Sequence, residues 1–168
     1  TDIFRGIPVI LTILLVGFGV PGLGLGRPWN SPYLWGSVAL VLAYSSYVAE
    51  VFRAGIESVH ESQRAGARSL GLSSGQTLRF VVLPQAVRRV IPPLMNDFVS
   101  LQKDVALISL IGPIEILRQA GIDKSKFANF TPYVGAAIIF LLLTIPETRF
   151  VDHLMTRERR RTSGTAVR

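Results

Sequence analysis

The chain has 168 residues, of which 49% are hydrophobic and only 17% charged, and its mean hydropathy is +0.41. That balance argues against an ordinary soluble domain, while a net charge of +7 and a pI near 10.6 leave two partner classes, nucleic acid and an anionic membrane face. The absence of cysteine excludes disulfides and thiolate metal sites, and His60 and His153 lack metal-ligand spacing.

The chain opens on Thr1, close to an apolar run, with neither a charged leader nor a small-residue cleavage site. The run is therefore not read as a signal peptide, and the chain is expected to be a fragment without its N-terminal part. Residues 6–26 carry no charge, and about twenty such residues suffice to span a hydrocarbon layer. Pro21 and the glycines around it are expected to break that helix as it leaves the bilayer. A second uncharged run, 28–49, begins with Trp29, Tyr33 and Trp35, whose amphipathic rings suit a membrane–water interface. Soluble helices rarely stay uncharged for so long, which disfavours two buried helices of a soluble protein. Glu50 and Arg53 close the span, as interfacial anchors or gate contacts.

Residues 58–84 are a polar, basic stretch between apolar segments. Ser58-x-x-Glu61 and Ser73-x-x-Gln76 each fit a capping box, in which the serine and its partner satisfy each other's free backbone N–H groups. Gly71 supplies a left-handed turn to end the first short helix, and Pro84 is expected to end the second. Helices this short are marginal in water and need a surface to lie against. A DNA-reading helix–turn–helix has the same outline. Here both ends enter hydrophobic spans with no linker, so no nucleic-acid partner is expected. A passive loop would not need two caps and a glycine stop.

Residues 90–114 are apolar but interrupted by Pro92, Pro93, Asn96, Asp97, Lys103 and Asp104. An intramembrane Asp or Lys costs roughly 2.5–3.5 kcal/mol on insertion scales, so these groups should face protein or water. Two readings stay open: Asn96, Asp97, Lys103 and Asp104 line a substrate pathway, or they neutralise one another and pack the span against a neighbour. Lys103 and Asp104 point about 100° apart on a helix and should have separate partners, whereas Asn96 and Lys103 can share a face. A loop over 113–132, with Arg118, Lys124 and Lys126, leads to a further uncharged run, 127–146. The basic tail, 157–168, is expected to be disordered. Four spans put 53–90 and the C-terminus on one side, with twelve arginines against Arg27, Arg118, Lys124 and Lys126 on the other. The positive-inside rule then makes the 58–84 side cytoplasmic.

The basic stretch resembles the EAA loop of the integral-membrane subunits of ABC importers: E-A-A, three residues, G, nine residues, I, one residue, L-P. Ala65-Gly66-Ala67, Gly71, Val81, Leu83 and Pro84 stand at those spacings, with alanine for the glutamate and glycine for the first alanine. Arg5-Gly6-Ile7-Pro8 is similar to the RGTP segment of polar amino-acid permeases. Tyr47-Val48-Ala49-Glu50-Val51-Phe52-Arg53-Ala54-Gly55-Ile56 resembles their AYIAEIFRGGI signature. Leu83-Pro84-Gln85-Ala86 and Lys103-Asp104 also have counterparts there.

The resemblance implies an all-α membrane protein with the type I ABC importer permease fold. Four spans are seen here, and the first of the family's five would precede Thr1. Residues 1–156 would be the permease domain, with the 58–84 loop lying in a groove of a separate cytoplasmic ATPase. Glu61, Arg64, Ala65, Gly66, Ala67, Arg68 and Gly71 would dock there: the three small residues permit close approach, and Glu61, Arg64 and Arg68 share one face. The chain has no G-x-x-x-x-G-K-[ST], so ATP would be bound and hydrolysed by the partner, and no cofactor or metal is expected in this chain. A second permease subunit, an extracytoplasmic solute-binding protein docking near 113–132, the lipid bilayer and a polar amino acid complete the expected partners. A channel or ion-coupled secondary transporter, using Asp97 and Asp104, is the competing class.

Overall fold

The computed structural model describes residues 2–24, 26 and 28–163, and the side chains among them except those of 2 and 157–163. Arg27, Arg168 and the arginine side chains over 157–161, on which the charge asymmetry partly rests, lie outside that description. Every regular element among the described residues is helical: α1 (Asp2–Gly6), α2 (Val9–Gly19), α3 (Pro32–Glu57), α4 (Glu61–Ser69), α5 (Ser74–Thr77), α6 (Leu83–Asp104), α7 (Ile116–Phe127) and α8 (Thr131–Ser163). Turns of 3-10 helix follow α2 at Pro21–Leu23 and α6 at Val105–Ile111, and a π-helical turn, Leu78–Val82, joins α5 to α6.

The four expected spans are not equal. Among the described residues two helices are long and apolar enough to cross a membrane, Pro32–Glu57 and Thr131–Thr156, and a third counts only if Ser74–Ile111 and Ile116–Phe127, bent by 52°, form one span. The run at 6–26 is broken earlier than expected. Pro8 separates α1 from α2, and α2 has 11 residues, a rise of only about 16 Å. Pro21 does end the regular helix, and Gly24 leaves the 3-10 turn at φ +76°. The segment read as a loop over 113–132 contains α7, started by the Glu115 carboxylate, which accepts from the amides of Leu117 and Arg118 at 2.7 Å. At the other end α8 runs on to Ser163, well into the stretch expected to be disordered from residue 157; residues 164–168 lie outside the described residues.

The chain divides into two compact units. In the first, Thr1–Tyr47 with Phe98–Thr148, the core is Ile13, Ala39, Leu40, Ala43, Tyr44 and Ile111. Ile111, on the 3-10 segment, fits between two glycines. A Cβ on Gly17 would come within 2.5 Å of Ile111 Cδ1, and one on Gly36 within 3.2 Å. The missing side chains are what let α2 and α3 approach this segment. Gly17→Ala is therefore expected to destabilise the unit by roughly 1–3 kcal/mol, the usual cost of overpacking. A melting curve of the detergent-purified protein checks it.

The second unit is Val48–Asp97 with Arg149–Arg168. Here Gly55 meets Val90: a Cβ at 55 would collide with Val90 Cγ1, so α3 and α6 cross with their backbones close together. Pro92 and Pro93 sit inside α6 in this unit, and Pro146 sits inside the part of α8 that belongs to the first. Much of α8 carries its apolar side chains outward; only 11% of its spanning window is buried, with Leu141, Leu142 and Leu143 all exposed. Lipid or another subunit is the natural cover for such a surface.

Candidate functional site

The elbow formed by α4, α5 and the π turn lies wholly in the second unit. Its first cap differs from the expected one. Ser58 does not begin α4: its hydroxyl donates to Gly55 O at 2.6 Å, one turn back in α3. His60 is the N-cap instead, with Nδ1 accepting from the Ser62 amide at 3.2 Å. Gly71 has φ +85°, the left-handed turn that the sequence required. The second capping box is complete: Ser73 Oγ accepts from the Gln76 amide, and Gln76 Oε1 accepts from the Ser73 amide. Ser73→Ala should cost about 1 kcal/mol as a lost N-cap, whereas Ser58→Ala removes no cap from α4. Amide exchange across 74–77 distinguishes the two, rising only in the first variant.

Pro84 does not turn the chain out of its helix. The Leu83 amide donates to Leu78 O, five residues back, so the hydrogen-bond ladder has already slipped when it reaches a residue with no N–H. A π turn is a known way to pass such a gap, and the helix continues to Asp104. Two cross-links from α6 hold the elbow and the turn that leads into it. Arg89 donates through Nη1 to both the carbonyl and the hydroxyl of Ser58, and Gln85 Nε2 donates to Gln63 Oε1. Sequence reasoning used Arg89 only as topological charge, and gave Gln85 and Gln63 no role. The regular spacing of Gln85 and Arg89, four apart on a helix, was the available signal.

The expected docking residues of α4 separate into three groups. Glu61, Arg64 and Arg68 come together around one cleft, as their spacing required. Ala65 and Gly66 are exposed, and no atom lies within 4 Å of a Cβ built on Gly66. Ala67 is buried, 7% exposed, so its small side chain packs inside the unit and is not open to a partner. The helical period explains this, since positions 65 and 67 point to different sides. Glu50 and Arg53 form a surface ion pair at 3.7 Å.

The candidate pathway residues all lie on α6. Asn96 and Lys103 are both exposed, and Asp97 is half-buried. Asp104 accepts from Tyr44 Oη at 2.8 Å, a partner that sequence reasoning missed because it lies on α3, 60 residues away. Lys103 is not that partner, in keeping with the divergent directions of adjacent helical residues. In the first unit Gln102 Nε2 donates to Glu147 Oε1 at 2.7 Å, again unforeseen, and Glu147 stands directly after the last uncharged run. Arg118 donates to Ser109 O at 2.5 Å, while Lys124 and Lys126 lie over the rings of Phe130 and Phe127.

A family profile described as the binding-protein-dependent transport system inner membrane component matches residues 1–160. The chain belongs to that family. Its relatives include the probable glutamine ABC transporter permease protein GlnM of Bacillus subtilis, 35% identical over 93% of this chain and 71% of the relative. The arginine transport system permease protein ArtQ of the same organism is 33% identical over 86% of this chain and 66% of its own length. The glutamine transport system permease protein GlnP of Escherichia coli is 30% identical over the same shares. The chain thus spans about two thirds of the length of these relatives. Among solved structures, one described as the crystal structure of an amino acid ABC transporter with histidines superposes with a TM-score of 0.85 at 34% identity, covering 93% of this chain and 72% of that one. This member of the ABC permease family accordingly has, among the described residues, the all-helical fold that its motifs implied; Gly71 of the motif turns the elbow just described, and Leu83 and Pro84 open α6 directly after it.

Proposed function

We propose that this chain is the membrane-spanning permease subunit of an ATP-driven importer for a polar amino acid, and that its elbow transmits work from a separate ATPase. The observation that carries the reading is the elbow itself: two short helices, capped and turned by Gly71 at the spacing of the family's loop, and fastened to α6. The relatives' glutamine and arginine transport supports the substrate class. In this reading the elbow and C-terminus face the cytoplasm of a bacterial plasma membrane. The short helix Val9–Leu23 and the bent Ser74–Ile111 and Ile116–Phe127 pair contribute crossings beside the two long helices. Closure of the ATPases pushes the elbow, and the permease opens alternately to either side. ATP is bound and hydrolysed by the ATPase, a second permease subunit completes the path, and a solute-binding protein delivers the substrate, docking near α7. Asn96, Asp97, Lys103 and Asp104 are the pathway residues.

The test is uptake into proteoliposomes containing the complete transporter purified through a tag on this subunit. Uptake of a polar amino acid that needs internal ATP and the binding protein, and ignores a collapsed proton gradient, is expected. Uptake that follows the proton gradient and persists without the ATPase would point to the secondary-transporter class.

A further inference from the structure

The elbow borders an open cleft of about 260 Å³, and its lining includes Glu61, Arg64, Arg68, Ser74 and Thr77. Two polar atoms in these walls are buried without a hydrogen-bond partner, Arg64 Nε and Thr77 Oγ1, and Thr77 is only 5% exposed. Arg64 spends one of its donors on Ile56 O, at 2.6 Å, which fixes the guanidinium in the wall. Arg68 makes no hydrogen bond or ion pair among the described residues. These two atoms are walled off, each with less than 1 Å² accessible, so the polar side chains open to an occupant are the exposed Glu61 and Arg68.

We propose that this cleft receives the carboxylate of an aspartate or glutamate side chain from the ATPase groove, an inference that rests on the coupling role given to the elbow above. Charge selects the occupant. Two guanidinium groups and the Glu61 carboxylate leave one net positive charge in the walls, which a single carboxylate balances and a phosphate dianion exceeds. Arginine offers planar donor pairs suited to a carboxylate. The rest of the wall, Ile56, Leu78 and Val82, is apolar and suits the methylene stem of an acidic side chain. Exposed Ala65, next to Arg64 on the helix, lets a partner's backbone come close. The coupling surface of this chain is therefore a receptor for acid: Ala65 stands where the family loop has its glutamate, and the charge that acts is positive.

The test uses the transporter purified from its host membranes through a tag on this subunit. A photo-crosslinking residue at position 65 first asks whether the elbow touches the ATPase; no crosslink sinks the coupling reading and this inference with it. With that contact established, Arg68→Glu should lower ATPase retention about tenfold, a change of 1.4 kcal/mol. Arg68→Lys should keep most of the retention, and a zero-length carbodiimide should join the new lysine to an acidic residue of the ATPase. Ala65→Glu should weaken retention as well, because a carboxylate three residues before Arg68 would neutralise it in place of the partner's. Crosslinking at 65 combined with undiminished retention in Arg68→Glu, or with tighter retention in Ala65→Glu, overturns the proposal and leaves the coupling reading standing. Thermal melting of each variant separates a lost contact from a lost fold.

Discussion

Gly71→Val is expected to leave a permease that assembles but no longer links ATP hydrolysis to uptake. Gly71 sits at φ +85°, where an L residue with a Cβ is strained by roughly 1–2 kcal/mol, and a β-branched residue is worse placed still. Nothing lies within 4 Å of a Cβ built there, so the loss is one of backbone conformation and not of space. The chain can escape the strain only by unwinding the end of α4 or moving the Ser73 cap. Either change alters the angle between α4 and α5 while the anchors at Arg89 and Gln85 stay in place. Measured in proteoliposomes, the number of ATP molecules hydrolysed per substrate moved should rise about tenfold, as expected if coupling loses some 1.4 kcal/mol. Gly71→Asn, which tolerates the left-handed region, should keep most of the coupling. An unchanged ratio in the valine variant would show that this turn does not carry the coupling.

The second large effect is expected at Asp104. Its carboxylate accepts from Tyr44, a residue of the apolar core that is 9% exposed. Removing one partner of a hydrogen bond to a charged group costs about 1.5–3 kcal/mol when the remaining group stays shielded from water. Tyr44→Phe should therefore lower stability by that order, visible as a lower melting temperature. Asp104→Asn can still accept from Tyr44 through its amide oxygen, so it should melt nearly as the unaltered protein does. If Asp104 lies on the pathway, however, the asparagine variant should lose most uptake at normal expression, since it removes the charge and keeps the bond. Normal uptake by Asp104→Asn would leave Asp104 with a packing role alone.

How much of this was legible in the sequence depends on the range of the signals. Local backbone chemistry was readable where one residue type serves one conformation: Gly71 as a left-handed turn and Ser73-x-x-Gln76 as a capping box are both in the structure. It misled where two residues compete for a role. Ser58 had the capping spacing, but its hydroxyl is used within α3, and the histidine two residues later does the capping. Pro84 misled because the usual cost of a proline assumes an α ladder, and the π turn before it changes that ladder. The α7 helix was hidden by Gly112, Pro113 and Gly121 around and within it, and by a glutamate cap, which is less diagnostic than serine or aspartate. Long-range pairs such as Tyr44 with Asp104 and Gln102 with Glu147 were invisible, since no local pattern specifies which helices meet. For the candidate site, the shared face of Glu61, Arg64 and Arg68 followed from helical spacing; the cleft that they line needed α5 and the π turn folded against it.

Ile111 and Gly17 should also behave as one unit of heredity. A lineage that acquires a side chain at Gly17 inherits a defect that trimming Ile111 to alanine would relieve, because the new methyl group takes up room that the shorter residue vacates. Suppressor selections begun from a Gly17→Ala strain should return to position 111 more often than to any surface residue, and the two positions are expected to drift together or not at all.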